Sequence, residues 1–395
     1  MVEAGAFLSR AQKTAAARVS IPTCAVLLAG GRGTRFWPRS RMRTPKQLLN
    51  IAGNETMLRE TVARLEPIVP LRNFWVVTNA EQSAAARGEL RGVPSSQILA
   101  EPLGRNTAAA IGLAAIHLAR VHGDALMAVL PADSYIADAP RYRKLVRAAL
   151  DLARSPGNLV VLGVPPGRPE TGYGYIERGG MYARPGGVAA YSVRRFTEKP
   201  ALPVARKYVA SRKYFWNAGM FFWRASTFLE NLRRFLPGTH AALTELAKTI
   251  GTARYASALR RIYPRFENIS VDYAVMEPAT RSTSGVSARR NGPAGPPRVF
   301  VIPAKVGWSD IGSWTAVYEL LASKPGANVS AGPFFSIDAS GNYFWSPKKF
   351  IAAIGVRDMV LVETDDAILL CPRERSQDVG RIVRWLEERR LKHLL

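Results

Sequence analysis

Apolar residues along the chain fall into short runs divided by polar turns and by longer amphipathic stretches, and this alternation sets the first expectation. Ala25 to Leu28, Phe74 to Thr78, Ala125 to Leu130 and Leu159 to Val164 are strand-sized apolar runs. Met57 to Leu65, Ala108 to Ala119 and Tyr142 to Ala153 lie between them with helical spacing. The second of these is so rich in alanine that it is expected to pack closely on a sheet. Strand and helix alternating in this way predict βαβ units around a largely parallel sheet. Beyond about residue 166 the pattern changes: Tyr173-Gly174-Tyr175-Ile176-Glu177 and Val188 to Thr197 are rich in β-branched and aromatic residues and read as antiparallel. After about residue 326 short apolar runs alternate with Gly, Asn, Asp and Pro, and Gln377 to Leu395 reads as an amphipathic helix. The expected fold is α/β, a Rossmann-like mixed and mainly parallel sheet followed by a small β-rich domain.

Composition divides the chain further. Residues 1–22 are alanine-rich with scattered Arg and Lys and lack the continuous apolar core of a signal peptide, so they are expected to form a flexible tail. The main α/β domain is expected over 23–325 and the β-rich domain over 326–395. Within the first, 281–298 is a Ser, Gly, Pro and Arg tract that cannot build a core and is expected to be a mobile surface loop.

The formal net charge of +25 favours anionic partners. Basic residues are spread over the whole chain instead of being gathered on one helix or interleaved with stacking aromatics, which argues against nucleic acid. No apolar run approaches the roughly 18 residues of a membrane helix, so no membrane partner is expected. The two cysteines, Cys24 and Cys371, sit in separate apolar stretches and are expected to be buried and reduced, as suits the cytoplasm. The four histidines are dispersed, which removes support for a zinc site or a histidine-based triad.

One stretch concentrates chemistry. The run Cys24 to Ala29 ends in Gly30-Gly31-Arg32-Gly33-Thr34-Arg35, and Thr44-Pro45-Lys46-Gln47 follows, with no acidic residue in between. Glycines allow a tight turn whose N–H groups can approach a bulky anion, and the cations suit a polyphosphate. The loop lacks the Gly-Lys-Ser/Thr of a Walker motif, and Phe36 stands near where a dinucleotide fingerprint would place its third glycine.

Together with other segments, this loop resembles the signature of the sugar-phosphate nucleotidyltransferases. AGGRGTRFWP at 29–38, TPKQLL at 44–49, EPLGRNTAAAIGLAA at 101–115, PADS at 131–134, TGYGYIE at 171–177, FTEKP at 196–200, WNAGMF at 216–221, SVDYAVME at 270–277 and GWSDIGSW at 307–314 occur in order. The series is similar to the mannose-1-phosphate guanylyltransferase family of the single-function bacterial type, and RSQDV at 375–379 extends the likeness. The resemblance implies a nucleotidyltransferase fold of the GT-A-like kind. It implies transfer of GMP from GTP to mannose 1-phosphate, giving GDP-mannose and pyrophosphate. A sugar phosphate has a second pKa of about 6 and arrives ionised, so no general base is needed. The site's task is to align two anions and to neutralise the leaving group.

The resemblance also implies site residues. Asp133 and Asp310 would be Mg²⁺ ligands, and Arg35 and Lys46 would stabilise charge on the β- and γ-phosphates. Ala29, Gly30, Gly31, Gly33 and Thr34 would wrap the triphosphate, with Glu101, Gly104, Arg105, Asn106 and Thr107 in the base-recognition segment. Gly174, Glu177, Lys199 and Asn217 would hold the sugar and its phosphate, with Asp272 a further pocket residue. Read without the resemblance, Asp133 is a helix cap, Asp310 caps a turn, and Asn106 or Thr107 starts a helix. Ser134 and Ala218 depart from the family's usual histidine and serine, so the hydrogen bonding around them is expected to differ. No mannose-6-phosphate isomerase activity is expected from a chain of this length. The amphipathic end from Val379 to Leu391 and the β-rich segment admit a homodimer through the C-terminal domain. The competing readings are a nucleotidyltransferase for another sugar or base, a non-catalytic sugar-nucleotide-binding regulator and, third, a basic RNA-binding protein.

Overall fold

The structure is a computed structural model and describes residues 21–283 and 298–395. Most of the expected tail and of the 281–298 tract therefore lie outside the described residues. A nine-stranded sheet forms the body, running from one edge as Ile98–Glu101, Phe74–Asn79, Thr23–Leu28, Leu126–Pro131, Tyr214–Arg224, Asn158–Val164, Arg298–Pro303, Ala190–Thr197 and Tyr175–Ala183. The first four strands are parallel, as the alternation of strands and helices predicts. Asn158–Val164 does not lie beside Leu126–Pro131. The long strand Tyr214–Arg224 is inserted antiparallel between them, its central aromatics buried. Asn158–Val164 instead pairs in parallel with Arg298–Pro303, and the expected antiparallel pair closes the far edge.

Helices cover both faces. Asn106–His122, almost wholly buried, packs on one face with Ala225–Phe235 and Pro237–Ala247; alanine lets these backbones approach closely. Met57–Leu65 and Ala139–Ala153 cover the other. The cap of Ala139–Ala153 is Asp138, which accepts from Arg141 N at 2.9 Å, so Asp133 is not a helix cap.

The C-terminal region coils through short strands. Val329–Ser330, Tyr343–Trp345 and Met359–Glu363 are parallel, Ile368–Pro372 closes that sheet antiparallel, and Phe334–Ile337 pairs in parallel with Ile351–Ile354. The last helix is shorter than the amphipathic pattern suggests, Val379–Glu388, since Arg390 takes a left-handed φ of 58° and breaks the repeat. Cys24 is buried as expected, whereas Cys371 is only half-buried, on a strand at the edge of its sheet.

A third apolar core joins the two regions. Phe36, Trp37, Leu49 and Ile51, which follow the glycine loop, pack with Ile311, Trp314, Tyr343, Val362, Val383 and Leu386. Trp314 meets Phe36 edge-on at 5.1 Å and stacks on Tyr343 at 5.6 Å. The segment carrying the cations is thus fixed from the C-terminal side as well as by the sheet.

Candidate active site

The loop Gly30 to Arg35 leaves the carboxyl end of the strand Thr23–Leu28, where open α/β sheets place their ligands. Gln47, buried beneath it, donates to the carbonyl oxygens of Ala29 and Gly31 at 2.6 and 3.1 Å and holds the turn in shape. Gly33 has a φ of 61°, and a Cβ there would stand 2.4 Å from the Cβ of Lys46. Only glycine permits that approach.

Lys46 is 5% exposed. Its Nζ donates to Asp133 Oδ2 and to the Asp133 carbonyl, both at 2.9 Å, and also to the carbonyl oxygen of Asp310. One ammonium group therefore ties together the two aspartate-bearing loops that sequence alone leaves far apart. Asp310 Oδ1 accepts from the Tyr173 hydroxyl at 2.5 Å, and burial together with that carboxylate raises the Tyr173 pKa, so the phenol keeps its proton and donates.

These groups edge a cavity of about 420 Å³. Its lining includes Gly31, Gly33, Arg35 and Lys46, the two aspartates Asp133 and Asp310, and Gly174, Glu198, Lys199 and Asn217. Gly174 again makes room: a Cβ would fall 2.3 Å from Glu198 Oε2. The Glu198 side chain is 8% exposed, and Oε2 has no hydrogen-bond partner. Leaving such an atom unpaired costs about 1–3 kcal/mol, which a donor from a ligand would recover. Burial raises the Glu198 pKa, with Asp272 adding to the effect and Lys199, 3.5 Å away, opposing it. Asn217 receives its orientation from Asp272, to which Nδ2 donates at 2.8 Å. Asp272 opens a π-helical turn, Asp272–Met276, and burial raises its own pKa.

The remaining expected residues divide. Glu177 does not line the cavity; its carboxylate accepts from the Tyr214 hydroxyl at 3.0 Å, and Glu198 occupies the floor. Glu101 is buried, accepts from the Tyr263 hydroxyl, and has its other oxygen 3.1 Å from where a Gly30 Cβ would stand, so it lies beside the glycine loop. Burial pushes its pKa up to about 7. Gly104, Arg105, Asn106 and Thr107 lie outside the cavity lining. Arg105 donates to the Pro264 carbonyl at 2.6 Å, Thr107 Oγ1 accepts from Val271 N at 2.8 Å, and Asn106, with a φ of 63°, begins the helix. Ala29, Gly30 and Thr34 stand in the loop but not on the cavity wall, and Asp272 lies behind Asn217, also off the lining. Ser134 and Ala218 both line it. Gln47, Tyr173 and Glu198 are roles that sequence reasoning missed. Each lies inside a quoted segment, and its role comes from a tertiary partner or an unpaired atom that the segment itself does not reveal.

Among the described residues no cluster of three or more His, Cys, Asp or Glu could hold a metal ion. Two carboxylates on one cavity still fit a hard cation that keeps several waters and takes its other oxygens from phosphate. No helix among the described residues is long and apolar enough to cross a membrane.

Comparison with known proteins agrees with this geometry. The nucleotidyl transferase family model matches residues 24–325, and a model for the mannose-phosphate isomerase/GMP-like β-helix domain matches residues 332–386. A Salmonella typhimurium mannose-1-phosphate guanylyltransferase is 38% identical, over 91% of this chain and 72% of its own length. The Xanthomonas campestris xanthan biosynthesis protein XanB is also 38% identical over the same shares. A crystal structure from Thermus thermophilus described as a mannose-1-phosphate geranyltransferase superposes with a TM-score of 0.80 at 33% identity, covering 93% of this chain and all of that one. A glycine loop braced by a buried glutamine, two aspartates drawn together by one lysine and relatives matched over nine-tenths of the sequence lead to one placement: the chain belongs to the nucleotidyl transferase family, among the mannose-1-phosphate guanylyltransferases.

Proposed function

We propose that the chain transfers GMP from GTP to α-D-mannose 1-phosphate, forming GDP-mannose and releasing pyrophosphate. The observation that supports this reading is that one cavity is lined by the cationic glycine loop, by Asp133 and Asp310, and by Glu198, Lys199 and Asn217. The nucleotide's phosphates would lie against Gly31, Gly33 and Arg35. The mannose hydroxyls would donate to Glu198 and meet Asn217, and Lys199 would take the sugar's phosphate as a point charge. Held so, a phosphate oxygen of the sugar attacks the α-phosphorus in line, the new P–O bond forms as the bond to pyrophosphate breaks, and Arg35 meets the charge that leaves. Asp133 and Asp310 would hold Mg²⁺, which when bound supplies charge neutralisation between the two anions. Glu101, buried beside Gly30, has one carboxylate oxygen not held by Tyr263 and would accept a donor of guanine with it. The reading implies the cytoplasm, where GTP is at hand and free thiols stay reduced. The exposed Phe335, Phe350, Ile354, Ile368 and Leu370 support a homodimer through the C-terminal region.

Pyrophosphate release across GTP, ITP and ATP, each with mannose 1-phosphate or glucose 1-phosphate, tests the reading. GTP with mannose 1-phosphate and magnesium is expected to be the best combination, Asp133→Asn and Asp310→Asn to lower turnover at least about a hundredfold, and Glu101→Gln to narrow the gap between GTP and ITP. Equal rates for all pairs, or full activity in either aspartate variant, would sink it.

A further inference from the structure

The cations of the glycine loop are held from the C-terminal region, but not all in the same way. Arg32 pairs with Glu387 at 2.6 Å and Arg41 with Asp366 at 2.6 Å. Each of those guanidinium groups faces a carboxylate that cancels much of its charge. Arg35, which lines the cavity, is treated differently: its Nη1 donates to the side-chain oxygen of Gln377 at 2.7 Å, across 342 positions of sequence, and among the described residues it forms no ion pair. An amide fixes a guanidinium group by a hydrogen bond and leaves its charge in place.

Gln377 is itself well anchored. It belongs to the 3₁₀ segment Arg373–Asp378, which leads into the last helix. Its neighbour Ser376 is buried and hydrogen-bonds to Thr315 Oγ1 at 2.7 Å. Thr315 lies in the helix Trp314–Leu321, which begins directly after Asp310, Ile311 and Gly312 on the cavity wall. Past Gln377, a Cβ on Gly380 would stand 3.6 Å from Thr34 Oγ1, so the segment also lies against the glycine loop. Both ends of the link are therefore set by the wall of one cavity.

We propose that Gln377 is a positioning residue for nucleotidyl transfer, a neutral clamp from the C-terminal region that aims Arg35 at the nucleotide's departing phosphates while leaving its charge available. The proposal rests on the reading of this cavity as a nucleotide site. An interaction that serves the departing group lowers kcat when it is lost and leaves the KM for GTP nearly unchanged.

The test is a mutant cycle of Arg35→Ala, Gln377→Ala and the double variant, with Gln377→Glu beside it. Each is measured for kcat and KM with GTP and mannose 1-phosphate, and for melting temperature. Gln377→Ala is expected to lower kcat about tenfold, the factor that one hydrogen bond of ordinary strength accounts for. In the Arg35→Ala background the same change should have no further effect. Gln377→Glu keeps the link but neutralises Arg35, so it should lower kcat at least as far without lowering the melting temperature. A purely structural link, which the carboxylate would preserve, predicts wild-type kcat for this variant. Wild-type kcat in Gln377→Glu, or an undiminished Gln377→Ala loss when Arg35 is already absent, would overturn the proposal. Wild-type kcat in Arg35→Ala would instead overturn the reading of the cavity on which it stands, and the two failures are told apart by that arm.

Discussion

With its ammonium group bound to the side chain and carbonyl of Asp133 and to the carbonyl of Asp310, Lys46 has all three donors engaged inside the protein. The sequence led us to expect it at the β- and γ-phosphates beside Arg35; in the structure it lines the cavity with its ammonium group bound to both aspartate-bearing loops. Its loss should be felt in the fold as well as in the reaction. Lys46→Met is expected to lower stability by about 1–3 kcal/mol, a range that allows for the partial exposure of Asp133, and to lower turnover together with it. Arg35→Ala, by contrast, should lower turnover alone. Melting curves and pyrophosphate release on both variants check this, and a Lys46→Met protein as stable as the wild type would contradict it. At this scale the sequence made residue type and motif legible, and the cavity includes Asp133, Asp310, Arg35, Lys199 and Asn217. It could not distinguish Glu177 from Glu198, because both carboxylates lie in motif-bearing segments, one within the strand Tyr175–Ala183 and one just past the end of Ala190–Thr197. What separates them is the Tyr214 hydroxyl satisfying one and the bare space left by Gly174 beside the other.

Among the elements, the strand Ile98–Glu101 ends in a carboxyl group that burial pushes up to about 7. In the folded protein Glu101 keeps its proton to higher pH than it does in the unfolded chain. Its contribution to stability is therefore fully present below the ordinary glutamate range, declines as pH rises through that range, and is lost by about pH 7. Glu198, also raised, acts in the same direction. Glu101→Gln is expected to flatten part of the fall in melting temperature between about pH 5 and pH 8, and an unchanged slope would show that the group ionises freely. The apolar runs announced Thr23–Leu28, Phe74–Asn79, Leu126–Pro131 and Asn158–Val164 because each is largely apolar and buried, while the parallel strands Ile98–Glu101 and Arg298–Pro303 were not singled out. Tyr214–Arg224 was not singled out as a strand in the sequence, although it sits at the centre of the sheet. Its aromatics crowd around Asn217 and Gly219 with no regular period, and only pairing with neighbours on both sides shows its role.

For the whole molecule, the C-terminal region leaves large apolar side chains in water. Ile354 is 71% exposed, and Ile368 and Leu370, on one face of an edge strand, are 61% and 63% exposed. The homodimer proposed above would cover them. Sedimentation at micromolar concentration is expected to give a two-chain mass that reverts to one chain in the double variant Ile368→Asp and Leu370→Asp, with the fold intact by circular dichroism. A one-chain mass for the unaltered protein would end that proposal. The distribution of the +25 charge is consistent with the spread seen in sequence, with exposed arginines paired locally, as in Arg233 with Glu230 and Arg261 with Glu245.

The inserted strand has one more consequence. It runs beside Leu126–Pro131, which leads to Asp133, and beside Asn158–Val164 and Tyr175–Ala183, while itself bearing Asn217. On the function proposed above, the residues assigned to nucleotide and those assigned to sugar would thus hang from a single continuous ladder of backbone hydrogen bonds. The span between the reacting phosphates would then be set by the framework of the sheet.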